Sequence, residues 1–519
     1  MKLLLPLFMV VQSLEVTASA RILALCTAAS HSHSLWCYQY MAALAEREHQ
    51  ITVLGVDEPK IQIPNITTFV AGEVYNIFNI DFSDYKPGWL EQLNIGRIYP
   101  GFQFWDESAS KRILHSSALQ NVLNRYKNIK KPFDLIIHDN VNAQALLGLV
   151  HLFGNPPLIL ATTFSSPQWM TFRAGNIFNP AYIPSMITCS GQYMTFYERF
   201  FNTFNYVFLE WYQRFVSEPF QDRLMKEVLG PDLPHVRDIA KQANIIIVNH
   251  HFALNGPRPM LPGVIELAGL HITEPKPLPK DIKDFMDGAE HGVIMLSFGS
   301  NVDSTWLPRG FENVVLAALR QLRQRVLWKW DKDLPDIPPN VKLSKWLPQG
   351  DIFVHPKLRL FVTHCGLLSV QEAIYRKVPM LALPLYIDQI DNAALLVRHN
   401  LSIQLNVYNL NADQLRDGIM EILSNPVYKR NTERMGNLMT DMPLTSKQQA
   451  VFWSEYAIRH QGAPHLRSAA ADMSWIQLLM LDVIGTAFLI LLIVLWAVKT
   501  VLLFFLRRFV FSTSKSKVD

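Results

Sequence analysis

Residues 361–392 read FVTHCGLLSVQEAIYRKVPMLALPLYIDQIDN. An apolar run over 360–363 ends in His364-Cys365-Gly366, which turns into a helical stretch containing Ser369 and Glu372; a second apolar run, 380–383, leads to Asp388 and Gln389. Continuous apolar strands separated by a helix predict a parallel sheet covered on both faces. Ligands of such sheets bind beyond the C-terminal ends of the strands, where the N–H groups opening the next helix suit a phosphate.

Working outward, apolar runs at 293–298, 326–330 and 341–345 complete a doubly wound domain. Residues 271–280, HITEPKPLPK, carry three alternating prolines that favour extended backbone and read as an interdomain linker. Upstream, runs at 21–25 and 50–54 bracket a helix over 35–46, and runs at 133–137 and 158–161 flank a helical 143–153, a first α/β series. A chain of 519 residues exceeds what one core organises, so two domains are expected. Ten aromatic residues between Tyr193 and Tyr212 are read as helical core, ahead of an acceptor pocket or a membrane-touching surface.

The net charge of +4 is diffuse and no run of five basic residues occurs, so no nucleic-acid partner is expected. The chain has no GxGxxG or GxxxxGK[ST] pattern, which counts against a dinucleotide enzyme or a P-loop ATPase. Four cysteines make neither a disulfide framework nor a zinc site, and no metal is expected. Residues 1–20, ending Ala18-Ser19-Ala20, read as a secretory signal. Residues 483–506, with Lys499 the only charge, read as one transmembrane helix, separated from the domains by a juxtamembrane segment, 461–482. Arg507, Arg508, Lys515 and Lys517 then place the tail, 507–519, in the cytosol and the bulk of the chain in the lumen. The terminal KSKVD resembles the dilysine address of the endoplasmic reticulum, and Asn65-Ile66-Thr67 and Asn400-Leu401-Ser402 are glycosylation sequons.

His364, Gly366, Ser369, Glu372, Pro379, Pro384, Asp388 and Gln389 match in order and spacing the signature of the UDP-glycosyltransferases. Lys345-Trp346-Leu347-Pro348-Gln349 matches that family's companion motif, and Ser297-Phe298-Gly299-Ser300 its glycine turn. The resemblance implies the GT-B architecture, two facing Rossmann-like domains: an acceptor-binding domain over 21–270 and a UDP-sugar-binding domain over 281–460. It also implies roles. Trp346 would stack on uracil and Gln349 bond its edge. Ser300, His364 and the N–H groups after Gly366 would hold the diphosphate, and Ser369 in the following helix is counted among the donor-binding residues. Glu372 would accept from the ribose, and Asp388 with Gln389 would bind the sugar. The family often has Asn where this chain has Leu368 and Gly where it has Cys365.

In Ser30-His31-Ser32-His33-Ser34, the resemblance puts His33 rather than His31 at the catalytic base, with Asp139 as its partner acid. A helix N-cap is the competing role for Asp139. The implied reaction is inverting transfer of a hexose from a UDP-sugar to a hydroxyl of a small lipophilic acceptor, giving a β-glycoside. Glucuronate-using relatives carry an Arg before the linker; residues 245–251, IIIVNHH, have none, so UDP-glucose or another UDP-hexose is expected. Glucuronosyl transfer and a catalytically silent nucleotide-sugar-binding relative stand as alternatives, and assembly into a homo-oligomer is left open.

Overall fold

The computed structural model describes residues 19–59, 62–78, 98–186, 188, 191–300, 302, 304–386 and 388–515, with the backbone alone at 98–105 and 510–515. Residues 1–18 of the expected leader, and 516–519 of the dilysine-like end, lie outside the described residues. Ser19 and Ala20 belong to the fold: Ala20 is buried, its N–H donates to His49 Nδ1 at 3.1 Å, and its carbonyl accepts from Gln50.

The first lobe is built on β1 (Arg21–Cys26), β2 (Gln50–Gly55), β3 (Ile66–Val70), β4 (Leu135–Asp139), β5 (Leu158–Thr162), β6 (Ile245–Val248) and β7 (Val264–Glu266). All seven run parallel in the order β3-β2-β1-β4-β5-β6-β7. The second lobe has β8 (Val293–Ser297), β9 (Arg325–Lys329), β10 (Val341–Ser344), β11 (Leu358–Thr363) and β12 (Met380–Ala382), parallel in the order β10-β9-β8-β11-β12. Nearly every residue of the central strands is buried, which is why their sequences are unbroken apolar runs. Two doubly wound domains are therefore present as expected. The strands β3, β6 and β7 were not anticipated; β3, Ile-Thr-Thr-Phe-Val at a sheet edge, carries two adjacent threonines in place of an unbroken apolar run and is only partly buried.

Helix Ser446–Arg459 falls within the 281–460 span expected of the second lobe, yet packs on the first. Its Ala450 and Ala457 join the core under β1 and β2, Ser454 Oγ bonds Tyr40 OH at 2.6 Å, and Glu455 faces Arg47 and the buried His49. The proline-rich linker lies against the second lobe, with the Lys276 N–H donating to Asp351 and the Thr273 carbonyl accepting from Arg376. Cys26 and Cys37, at the end of β1 and inside helix His31–Ala45, are joined by a disulfide that the sparse cysteine count did not suggest.

The aromatic stretch corrects its reading as core. Helix Phe196–Tyr212 buries Asn202, Asn205, Tyr206, Leu209 and Tyr212, while most of its phenylalanines face outward. Composition gave the apolar content but not the face.

Residues 468–519 form a separate unit containing helix Leu481–Lys515. Its segment Leu481–Phe509 has a mean hydropathy of 2.8 and is long and apolar enough to cross a bilayer.

Candidate active site

In the first sheet the strand order reverses between β1 and β4; in the second it reverses between β8 and β11. Such switch points open crevices at the C-terminal strand ends. The loops after these strands meet in one cleft, lined by His33, Thr163 and Phe164 from the first lobe and by Ser300, His364, Gly366, Ser369, Asp388 and Gln389 from the second.

The second-lobe wall is closely built. The His364 ring packs against Gly299 and Gly366 so tightly that a Cβ on either glycine would fall 2.6 or 2.7 Å from a ring atom. Burial, with Lys329 adding to it, pushes His364 down to about 3, so the ring is neutral near pH 7. Gly366 precedes helix Leu367–Tyr375 and supplies no side-chain cap, which leaves the first-turn N–H groups for an anion. Between them Cys365 adopts φ +67°, a left-handed conformation favoured by glycine, the residue the family often has there. Asn392 Nδ2 pins this turn by donating to the Cys365 carbonyl at 3.0 Å.

Asp388 and Gln389 open helix Asp388–Arg398. Burial raises Asp388 to about 6, against the hydrogen bond from Asn392 and the proximity of His33. Gln389 Oε1 accepts from the N–H groups of Leu385 and Tyr386 at 3.0 and 3.2 Å. Its amide nitrogen is then the group suited to a sugar oxygen, as a donor.

Trp346, Gln349 and Glu372 do not line this cleft; Gln349 and Glu372 are joined to it through Ser369. Gln349 Nε2 donates to Ser369 Oγ at 3.2 Å and to Glu372 Oε2 at 2.7 Å. Glu372 is raised by burial and sits where a Cβ on Gly350 would be 2.6 Å from its Oε1. Trp346 is 56% exposed, no core residue, with Lys329 Nζ 5.6 Å from its ring centroid.

The first-lobe wall is looser. His33 stands in the first turn of helix His31–Ala45, with Thr163 Oγ1 2.7 Å from Nδ1 and 3.0 Å from Nε2. Asp139 Oδ2 lies 3.8 Å from His33 Nδ1, beyond hydrogen-bond length, and its buried Oδ1 has no hydrogen-bond partner. Asp139 caps no helix, since the next begins at Gln144 with Ala143 before it. His31 turns away: its Nδ1 is 2.9 Å from Asp57 Oδ2 and its ring stacks on Tyr75.

Thr163, Phe164, Asp106 and Tyr386 were not foreseen among the lining residues. Thr163 could have been found, because it directly follows β5 at the ligand-binding edge. Asp106 comes from a distant helix and is fixed there by the Ala143 N–H and the Ser217 hydroxyl, at 3.2 and 3.1 Å. Among the described residues lining the cleft are two aspartates and neither lysine nor arginine. His250 pairs with Glu266 at 2.8 Å, and the half-buried Arg258 beside it, lowered to about 10 by desolvation, does not line the cleft either.

Residues 20–516 match the family model for UDP-glucoronosyl and UDP-glucosyl transferase. A UDP-glucosyltransferase 2 of Dactylopius coccus is 31% identical over 93% of this chain and 92% of its own length. The Homo sapiens UDP-glucuronosyltransferase 2B7 is also 31% identical, over 95% and 94%. Among solved structures, a Polygonum tinctorium UDP-glucosyltransferase capable of glucosylating indoxyl is similar at a TM-score of 0.57 and 18% identity, covering 85% of this chain and 99% of that one. A spinosyn forosaminyltransferase gives 0.55 and 13% over the same shares. Both are GT-B proteins, as are the two parallel sheets here.

Proposed function

The chain belongs to the UDP-glucoronosyl and UDP-glucosyl transferase family, and from that premise we propose that it transfers glucose from UDP-glucose to a hydroxyl of a small lipophilic acceptor, with inversion. The observation that carries the choice of sugar is the charge of the cleft: no lysine or arginine among its described lining residues, two aspartates instead. A glucuronate carboxylate placed there would lose hydration without gaining a cation, whereas sugar hydroxyls bond well to Asp388 and the Gln389 amide. His250, one of the two histidines in the segment 245–251 that lacks an arginine, is paired with Glu266.

In this reading uracil stacks on Trp346, with Gln349 along its edge and Glu372 on the ribose. The diphosphate lies against Ser300, His364 and the N–H groups after Gly366. His33 takes the proton from the acceptor hydroxyl as its oxygen bonds to the anomeric carbon, and the bond from that carbon to the diphosphate oxygen breaks. Asp139 steadies the imidazolium. The 3.8 Å gap between them closes when acceptor and donor are bound, as loosely set catalytic pairs do. Charge developing on departing UDP falls on the helix N-terminus. We also propose that helix Leu481–Lys515 anchors the chain in the endoplasmic reticulum membrane, the lobes lumenal and Arg507 and Arg508 on the cytosolic side.

The test is the full chain in membranes, offered UDP-glucose and UDP-glucuronate separately with mixed phenols, flavonoids and steroids, and read by product mass. Glucosides are expected. Glucuronides in their place would overturn the donor assignment, and donor binding without any product would favour the silent relative.

A further inference from the structure

Phe196, Phe200, Phe204, Val207, Trp211 and Phe215 recur every three or four residues along helix Phe196–Tyr212 and the turn after it, and each is more than half exposed. Their rings run into one another through Phe208: Phe204 to Phe208 is 6.1 Å between centroids, Phe208 to Trp211 5.8 Å, and Trp211 to Phe215 6.2 Å. The stripe extends for about 30 Å. A soluble helix puts such a face inward, and here the inward face is the more polar one, carrying Asn202 and Asn205. Neither the donor site nor the cleft uses any of these side chains.

We propose that this helix lies in the plane of the bilayer surface, with the aromatic stripe at the boundary of headgroups and acyl chains. The inference rests on the membrane anchoring proposed above: a chain holding the span Leu481–Phe509 keeps a bilayer beside every copy, at a local concentration that no soluble partner matches. The side chains fit that phase. Phenylalanine and tryptophan on one face, without charge inside the stripe, are the composition of interfacial helices. Arg199 and Arg214 flank the stripe, exposed, where a guanidinium meets lipid phosphate.

The test uses the full chain in phosphatidylcholine vesicles whose acyl chains carry a photoreactive diazirine, with adducts mapped by peptide mass. Adducts are expected on residues 196–215 as well as on 481–509. In the variant Phe200→Glu/Phe204→Glu/Trp211→Glu, those on 196–215 should fall at least about tenfold while those on the span stay constant. UDP binding by the variant verifies its fold, and the map of the unaltered chain decides the matter even if the variant does not fold. Adducts on the span alone would overturn the interfacial helix and leave the anchor standing. Adducts on neither would overturn both.

Discussion

The two walls of the cleft are built differently. On the second-lobe wall each group is fixed by a neighbour: His364 between two glycines, Gln389 by two backbone N–H groups, Gln349 by Glu372. On the first-lobe wall His33 rests on a threonine hydroxyl and Asp139 keeps an unsatisfied buried oxygen. A donor common to every turnover rewards a preorganised site, since ordering costs are met in folding rather than at binding. In the mechanism proposed above, His33 and Asp139 would instead complete their geometry when substrate arrives.

That contrast can be broken most sharply at His33. His33→Ala should lower kcat/KM by about 10²–10⁴-fold, while calorimetry finds UDP affinity unchanged; a parallel loss of UDP binding would show that the walls are not independent. On the other wall, Gly366→Ala inserts a Cβ 2.7 Å from His364 Nε2, and overpacking of about 1–3 kcal/mol should weaken UDP binding roughly 10–100-fold. Adding His364→Ala to that variant should recover in melts part of the stability lost to overpacking, though not the UDP affinity, if ring and glycine act as a unit.

Asp388 sharpens the comparison through pH. Its raised value, about 6 against an ordinary 3.8, means that folding takes up a proton between those values. Its contribution to stability is complete below about pH 4 and is lost as pH rises through about 6. Asp388→Asn should therefore stabilise the fold by roughly 1–3 kcal/mol near pH 7 and by less near pH 5, in melts at both values, while glucosyl transfer is lost. An equal gain at both pH values would refute the assigned burial cost.

The smallest effect is expected at Cys365→Gly. Relief of the left-handed conformation and loss of a buried thiol, each about 1 kcal/mol, oppose one another. Denaturant titration should place the variant within about 1 kcal/mol of the parent.

The fixed wall is also the one that was legible in the sequence. His364, Gly366, Glu372, Asp388 and Gln389 sit within 26 residues because one strand, one turn and the next helices deliver them, and local spacing survives in the linear chain. The first-lobe wall gathers Asp106, Asp139 and Thr163 from elements far apart, and only those at strand ends carry a positional signal. Strands β6 and β7 were overlooked although β10 and β12, equally short, were read from their apolar runs, and the outward face of helix Phe196–Tyr212 was missed because aromatic content does not reveal orientation. Helix Ser446–Arg459 was assigned to the wrong lobe, since its register with Tyr40 and Glu455 with Arg47 are contacts across some four hundred residues.

That last helix has a mechanical consequence. Backbone passes from the first lobe to the second at the prolines and returns before Ser446, whose hydroxyl bonds the Ala268 carbonyl beside the outward crossing. A body tied at two points swings about the line joining them, as a door does on its pins. For the transfer proposed above, such a rotation would be the motion that opens and closes the cleft, since hinging about short connecting segments is how two lobes enclose a ligand.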